Sequence, residues 1–154
     1  MARARVSRLL RLFAGVLPFA WAVGACTHAE PVFISPAAMV ATASRLNHPE
    51  GTSYVLLEPA TLTTRVKFRS VQRWGLSITA RAEPSPGGSW PHLRIELDGA
   101  PTHTLVVDDP REIPYWVNFA SEPGFADLKL SLLNGAADGD GPTLIVERLE
   151  MVPF

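Results

Sequence analysis

Apolar and polar positions alternate in short runs along most of the second two-thirds of the chain. Leu62, Thr64, Val66 and Phe68 share one face of such a run, while Thr63, Arg65, Lys67 and Arg69 share the other. Residues 76–82 and 93–97 repeat the pattern, and Leu128, Leu130 and Leu132 alternate with Lys129 and Ser131. Successive side chains of an extended chain leave opposite faces, so a period of two with one charged face marks a half-buried antiparallel strand. Runs at 54–57, 104–107, 113–119 and 143–152 bring the expectation to about eight strands, with Leu144, Val146, Leu149 and Met151 as core contributors from the last. Turn signals separate them, clearest at Asp98-Gly99 and Glu122-Pro123-Gly124. No strand–helix alternation is visible, so the predicted fold is all-β, an antiparallel β-sandwich of the jelly-roll kind.

The residues before this region read differently. Ser35 as N-cap and Pro36 at the first helical position predict one short helix over 37–46, which His48-Pro49-Glu50-Gly51 ends. Further upstream, Arg3, Arg5, Arg8 and Arg11 precede an uncharged apolar stretch over 12–25 that closes in Val23-Gly24-Ala25-Cys26. That stretch is about 14 residues, short of the roughly 20 that span a bilayer and in the range of a signal-peptide core. Small residues directly before a Cys resemble the bacterial lipobox, with Val23 where Leu is more usual. The resemblance implies lipidation of Cys26 as the mature N-terminus and export to a membrane. Thr27 follows Cys26 in place of an inner-membrane retention Asp, which in a Gram-negative cell implies the outer membrane or cell surface. An ordinary secretory peptide cut nearby, with Cys26 incidental, and a retained anchor are the alternatives. The expected organisation is therefore a signal peptide at 1–25, a lipidated N-terminus and linker with the short helix at 26–52, and a sandwich at 53–154.

Composition removes several function classes. The 154 residues allow one ordinary domain, and 15 acidic residues face 14 basic ones, four of which lie ahead of the first acid, Glu30. A mildly acidic body without a Lys/Arg cluster argues against a nucleic-acid partner. The single Cys makes no internal disulfide and no zinc pair. No nucleophile elbow, zinc-protease motif or phosphate-cradling loop occurs, and Asp108-Asp109 point to opposite faces beside Pro110. The chain is expected not to be an enzyme.

Two loops carry candidate chemistry. Residues 84–92 place Trp90 and His92 among Pro, Gly and Ser, with Trp90 either a sugar-stacking platform or a lid over the core edge. Residues 134–141 bring Asn134, Asp138 and Asp140 together among glycines. Oxygen ligands on a flexible path suit Ca²⁺, which takes about 6–8 of them, although the EF-hand spacing and its closing Glu are missing. An exposed flexible turn is the bland alternative. Trp116 is a second aromatic candidate for stacking on a sugar.

The order of these features resembles a carbohydrate-binding module of the calcium-dependent, xylan-binding jelly-roll type. The residues that carry the resemblance are Leu76 to Ala82, Gly87-Gly88, Trp90-Pro91, the strand closing at Asp98-Gly99, Tyr115-Trp116, Asn118-Phe119, Gly124, the Leu-rich strand ending at Asn134, and 143–152. It implies polysaccharide binding through Ca²⁺ at Asn134, Asp138 and Asp140, with Trp90, His92 or Trp116 against the sugar. The family's calcium loop reads Asn-Asp and later Arg-Asn-Leu, whereas this chain has Asn134-Gly135 and Pro142-Thr143-Leu144. Either Asp138 and Asp140 replace the missing ligands or the metal site is degenerate. Two functions follow: a lipid-anchored module holding polysaccharide, or an accessory subunit that docks an envelope protein through the same fold.

Overall fold

The computed structural model describes residues 30–154, so the expected signal peptide and Cys26 lie outside the described residues. Eleven strands form two antiparallel sheets: β1 (Val32–Ile34), β2 (Val40–Ala41), β3 (His48–Glu50), β4 (Ser53–Leu56), β5 (Ala60–Phe68), β6 (Gln72–Glu83), β7 (His92–Leu97), β8 (His103–Val106), β9 (Ile113–Ser121), β10 (Gly124–Leu132) and β11 (Thr143–Pro153). One sheet has the order β3-β4-β11-β6-β9, with β1 continuing the edge of β11 below β4; the other runs β2-β5-β10-β7-β8. The fold is the jelly-roll β-sandwich that the alternation predicts.

All eight expected strands are present, and their inward faces are the expected ones. Leu62, Val66 and Phe68 of β5 and Leu128, Leu130 and Leu132 of β10 meet Leu76, Ile78 and Ala80 of β6 in one core. Side chains from two facing sheets interdigitate across about 10 Å, which is why each strand needs only one apolar face. In β11 the core positions are Val146 and then Leu149, a spacing of three that alternation alone forbids. A register shift between Val146 and Arg148 resolves it, since the extra residue of a bulge returns the next side chains to the core side. Glu147 occupies the bulge, where its carboxylate accepts from Arg81 Nε at 2.9 Å and from the Ser53 hydroxyl.

The N-terminal expectation needs correction. The helix expected over 37–46 is a single 3-10 turn, Pro36–Ala38, and Val40–Ala41 and His48–Glu50 are strands. Ser35 makes no capping bond; its hydroxyl donates instead to the Thr52 carbonyl at 3.0 Å. Met39 is drawn into the core, and the Thr42 amide pairs with the Thr61 carbonyl at 3.0 Å. Sheet pairing and burial win here: Met39 enters the core and Val40–Ala41 pairs with β5, whereas an isolated helix of about ten residues is marginal by itself. Residues 32–50, expected as a linker, thus supply three edge strands, and β3 tolerates Pro49 because an edge strand leaves one row of groups unpaired.

Candidate ligand-binding face

The two candidate loops lie at one end of the sandwich, where β6 ends, β7 begins and β10 passes into β11. Asn134 sits at the close of β10 and ties this end together. Its Oδ1 accepts from the His92 amide at 2.7 Å, and its Nδ2 donates to the Trp90 carbonyl at 2.8 Å and the Ser89 hydroxyl at 3.2 Å. Trp90 is half-buried and packs against the core, which makes it a lid, while the His92 ring is exposed. The structure therefore brings Asn134, Trp90 and His92 together, through backbone groups of the latter two.

The 134–141 loop is held against the neighbouring β4–β5 connection. The Ala136 amide donates to the Leu57 carbonyl at 3.1 Å, and a side chain at Gly135 would meet the Glu58 backbone at 2.7 Å. Asn47, buried beneath, accepts at Oδ1 from the amides of Leu57 (2.6 Å) and Glu58 (3.0 Å) and donates to the Glu58 carbonyl at 3.1 Å. No calcium cage converges there. The Asn134 amide is already engaged on both sides, the Asp138 carboxylate accepts from the Asp140 amide at 3.1 Å, and both aspartates are exposed. Among the described residues no group of three His, Cys, Asp or Glu side chains could hold a metal ion. The residues present do not fit the metal that the resemblance implies.

Trp116 lies elsewhere, on the outer face of the six-stranded sheet. Alternation along β9 sends Val117 and Phe119 into the core, with Tyr115 half-buried against it, and leaves Trp116 and Asn118 outside. Burial pushes the Tyr115 phenol above its usual value of 10.0, and its hydroxyl oxygen accepts from the Asp108 amide at 3.3 Å. The Trp116 indole leans across Gly75 on β6, where an added Cβ would come within 3.3 Å of two ring carbons and 3.5 Å of Asn118 Oδ1. Glycine at this position is what lets a flat ring settle on the sheet, and the indole remains 57 % exposed.

The strand register places further residues on this outer face. Trp116 pairs with Ser77, Ser77 with Glu150, and Glu150 with Phe33, so one row crosses β9, β6, β11 and β1. The next row is Asn118, Gly75 and Val152. The outward positions along β6 are the small residues Gly75, Ser77 and Thr79, the first two of them buried beneath their neighbours. Trp116 stands on one side and Phe33, 63 % exposed with the Arg148 guanidinium 5.4 Å from its ring centre, on the other. Strands spaced about 4.8 Å apart set these two aromatics roughly 14 Å from each other across the sheet. Gly75, Ser77, Asn118 and Phe33 were not candidates from the sequence, yet the period of two in 113–119 already separates Trp116 and Asn118 from the core positions. A separate cleft of about 460 Å³ opens between β1 and β5, lined by Val32, Ile34, Ala38 and Val66 with Arg65 and Lys67 at its rim.

Elsewhere charge pairing is superficial. Arg111 holds the Asp109 carboxyl at about 2, below its ordinary 3.8, through a side-chain contact of 2.7 Å and its own backbone amide. Arg65 pairs with Asp127 at 2.9 Å on the exposed face of β5 and β10.

No protein-family model matches the chain, and no curated protein matches it. Solved structures do. The C-terminal family 6 carbohydrate-binding module of a marine laminarinase from Zobellia galactanivorans superposes with a TM-score of 0.59 at 10 % identity, over 80 % of this chain and 99 % of the module. A family 36 module of a multidomain xylanase from the hindgut metagenome of Trinervitermes trinervoides gives 0.57 at 13 %, over 79 % and 96 %. A family two carbohydrate esterase from Cellvibrio japonicus gives 0.57 at 10 %, over 81 % of this chain but only 34 % of the enzyme, about a third of its length. At such identities the likeness is one of fold: this chain has the architecture of a carbohydrate-binding-module jelly roll.

Proposed function

We propose that the chain is a non-catalytic, exported lipoprotein, anchored through Cys26, that holds a polysaccharide on the outer face of its six-stranded sheet. The observation that carries this reading is Trp116, a broadly exposed indole laid over Gly75 beside the amide of Asn118. A pyranose presents apolar C–H groups on one face and hydroxyls at its rim. An aromatic plane with nearby polar groups complements both. No Ca²⁺ enters this scheme, because the 134–141 loop offers no converged ligand set.

The modules of like fold belong to a laminarinase and a xylanase, so laminarin and xylan head the panel for testing. Native gels cast with each polysaccharide should retard the protein in at least one case, equally with Ca²⁺ and with chelator. Trp116→Ala should weaken that retention about tenfold, the equivalent of roughly 1.4 kcal/mol of lost stacking. Retention unaffected by the substitution refutes the Trp116 site. Cys26→Ala should release the protein from membranes, and unchanged fractionation sinks the lipid anchor.

A further inference from the structure

We infer that the end of the sandwich from which the chain runs back to Cys26 is a docking face for an anionic lipid bilayer. The inference rests on the lipid anchor proposed above and adds where the folded body meets the membrane. β1 begins at Val32, opposite Met151 near the close of β11. The same end carries the close of β5, the start of β6, the turn between β9 and β10, and Phe154, whose amide donates to the Arg73 carbonyl at 3.1 Å. Six residue steps separate Cys26 from Val32, a reach of at most roughly 20 Å even when fully extended. A lipid on Cys26 therefore holds this end, and no other, close to the headgroups.

The chemistry of the end matches that position. Val71, Phe125 and Phe154 are each more than three-fifths exposed. Lys67, Arg69 and Arg73 surround them, exposed and without an ion pair among the described residues, and the Lys67 ammonium lies 5.5 Å from the centre of the Phe125 ring. The acids at this end are Glu30, Glu122 and Asp98, the last in the turn between β7 and β8 beside Asp127, which is itself paired with Arg65. Apolar tips ringed by cations suit the interface of an anionic bilayer, where the tips enter the headgroup boundary and the cations meet phosphate. The opposite end carries Glu83, Asp108, Glu112, Asp138 and Asp140, which such a surface repels. Docked this way, β6 rises from the membrane at Gln72, and the outer face that carries Trp116 opens sideways to the surrounding polymer.

The test uses the full chain, lipidated in cells and reconstituted into vesicles of phosphatidylethanolamine and phosphatidylglycerol containing nitroxide-labelled lipid. Cys26 is the only cysteine, so once lipidated it leaves Ser70→Cys or Gly87→Cys as the sole thiol for a fluorescent probe. The nitroxide should quench the Ser70→Cys probe several-fold more than the Gly87→Cys probe at the far end. Adding Arg69→Glu and Arg73→Glu should bring the first down to the level of the second, with the circular dichroism unchanged. Equal quenching at both ends, or quenching indifferent to the charge reversal, overturns the docking face. Mass spectrometry of the same preparation separates the two layers: absence of a diacylglyceryl group on Cys26 overturns the anchor and the docking with it, whereas a lipidated protein without preferential quenching overturns the docking alone.

Discussion

Asn134 separates two accounts of the loop end, because a metal ligand and a structural clamp respond differently when it is changed. In the structure its amide makes three hydrogen bonds, at 2.7, 2.8 and 3.2 Å, joining the end of β10 to the 84–92 loop. Each such bond contributes about 0.5–1.5 kcal/mol net, and the half-exposed setting lets water replace part of it, so Asn134→Ala should cost about 2 kcal/mol. For a domain of about 125 residues this lowers the melting temperature by about 8 °C. Asn134→Asp keeps the acceptor for the His92 amide but loses both donated bonds, and should fall between the wild type and Asn134→Ala. Thermal denaturation followed by circular dichroism, in millimolar Ca²⁺ and in chelator, reads all three proteins. The clamp account expects the same order and spacing of melting temperatures in both buffers. A wild type stabilised by Ca²⁺, with the gain lost in Asn134→Ala and kept in Asn134→Asp, refutes it in favour of a metal site, as does an Asn134→Ala protein that melts with the wild type.

Leu130 is fully buried at the middle of β10, between β5 and β7, so Leu130→Ala should destabilise by about 3 kcal/mol in a denaturant titration; a cost below about 1 kcal/mol contradicts the packing described. Asp109 is held at about 2 by Arg111, so its contribution to stability is fully present above about pH 4 and is lost as pH falls through about 2. A carboxyl-carbon titration by nuclear magnetic resonance should place its midpoint near 2, and a midpoint near 4 denies the pairing. The Tyr115 phenol should ionise above 10.0 in an alkaline absorbance titration; ionisation below that value contradicts its burial against the core.

The strand faces were legible because a period of two assigns every residue of a long strand at once. Leu62, Val66 and Phe68 could not face the core without placing Arg65 and Lys67 in water. Short edge strands offer no such redundancy: Val40–Ala41 has two residues and His48–Glu50 contains a proline, so their place comes from pairing with β5 and β4, which only the fold supplies. The bulge at Glu147 left a trace in the spacing of Val146 and Leu149, but its partner Arg81 lies 66 residues away in sequence. The site was legible in part. Trp116 was a candidate, and alternation within β9 marks it as outward, whereas its setting depends on Gly75 and Ser77, neighbours through strand register. Asn134, Asp138 and Asp140 look like ligands in a glycine-rich string; in three dimensions Asn134 turns to two backbone groups and the Ser89 hydroxyl of the loop beside it.

The central claim is that a glycan occupies the outer face of the six-stranded sheet. The direct measurement is a backbone-amide and indole shift map of the protein body, recorded while it is saturated with the oligosaccharide of whichever polysaccharide retards it in the gels. The account predicts that the largest shifts fall on Gly75, Ser77, Trp116 and Asn118, with the same pattern in Ca²⁺ and in chelator. Shifts confined to Trp90, His92, Asn134, Asp138 and Asp140 and dependent on Ca²⁺ would contradict it, and so would a protein that no polysaccharide in the panel perturbs.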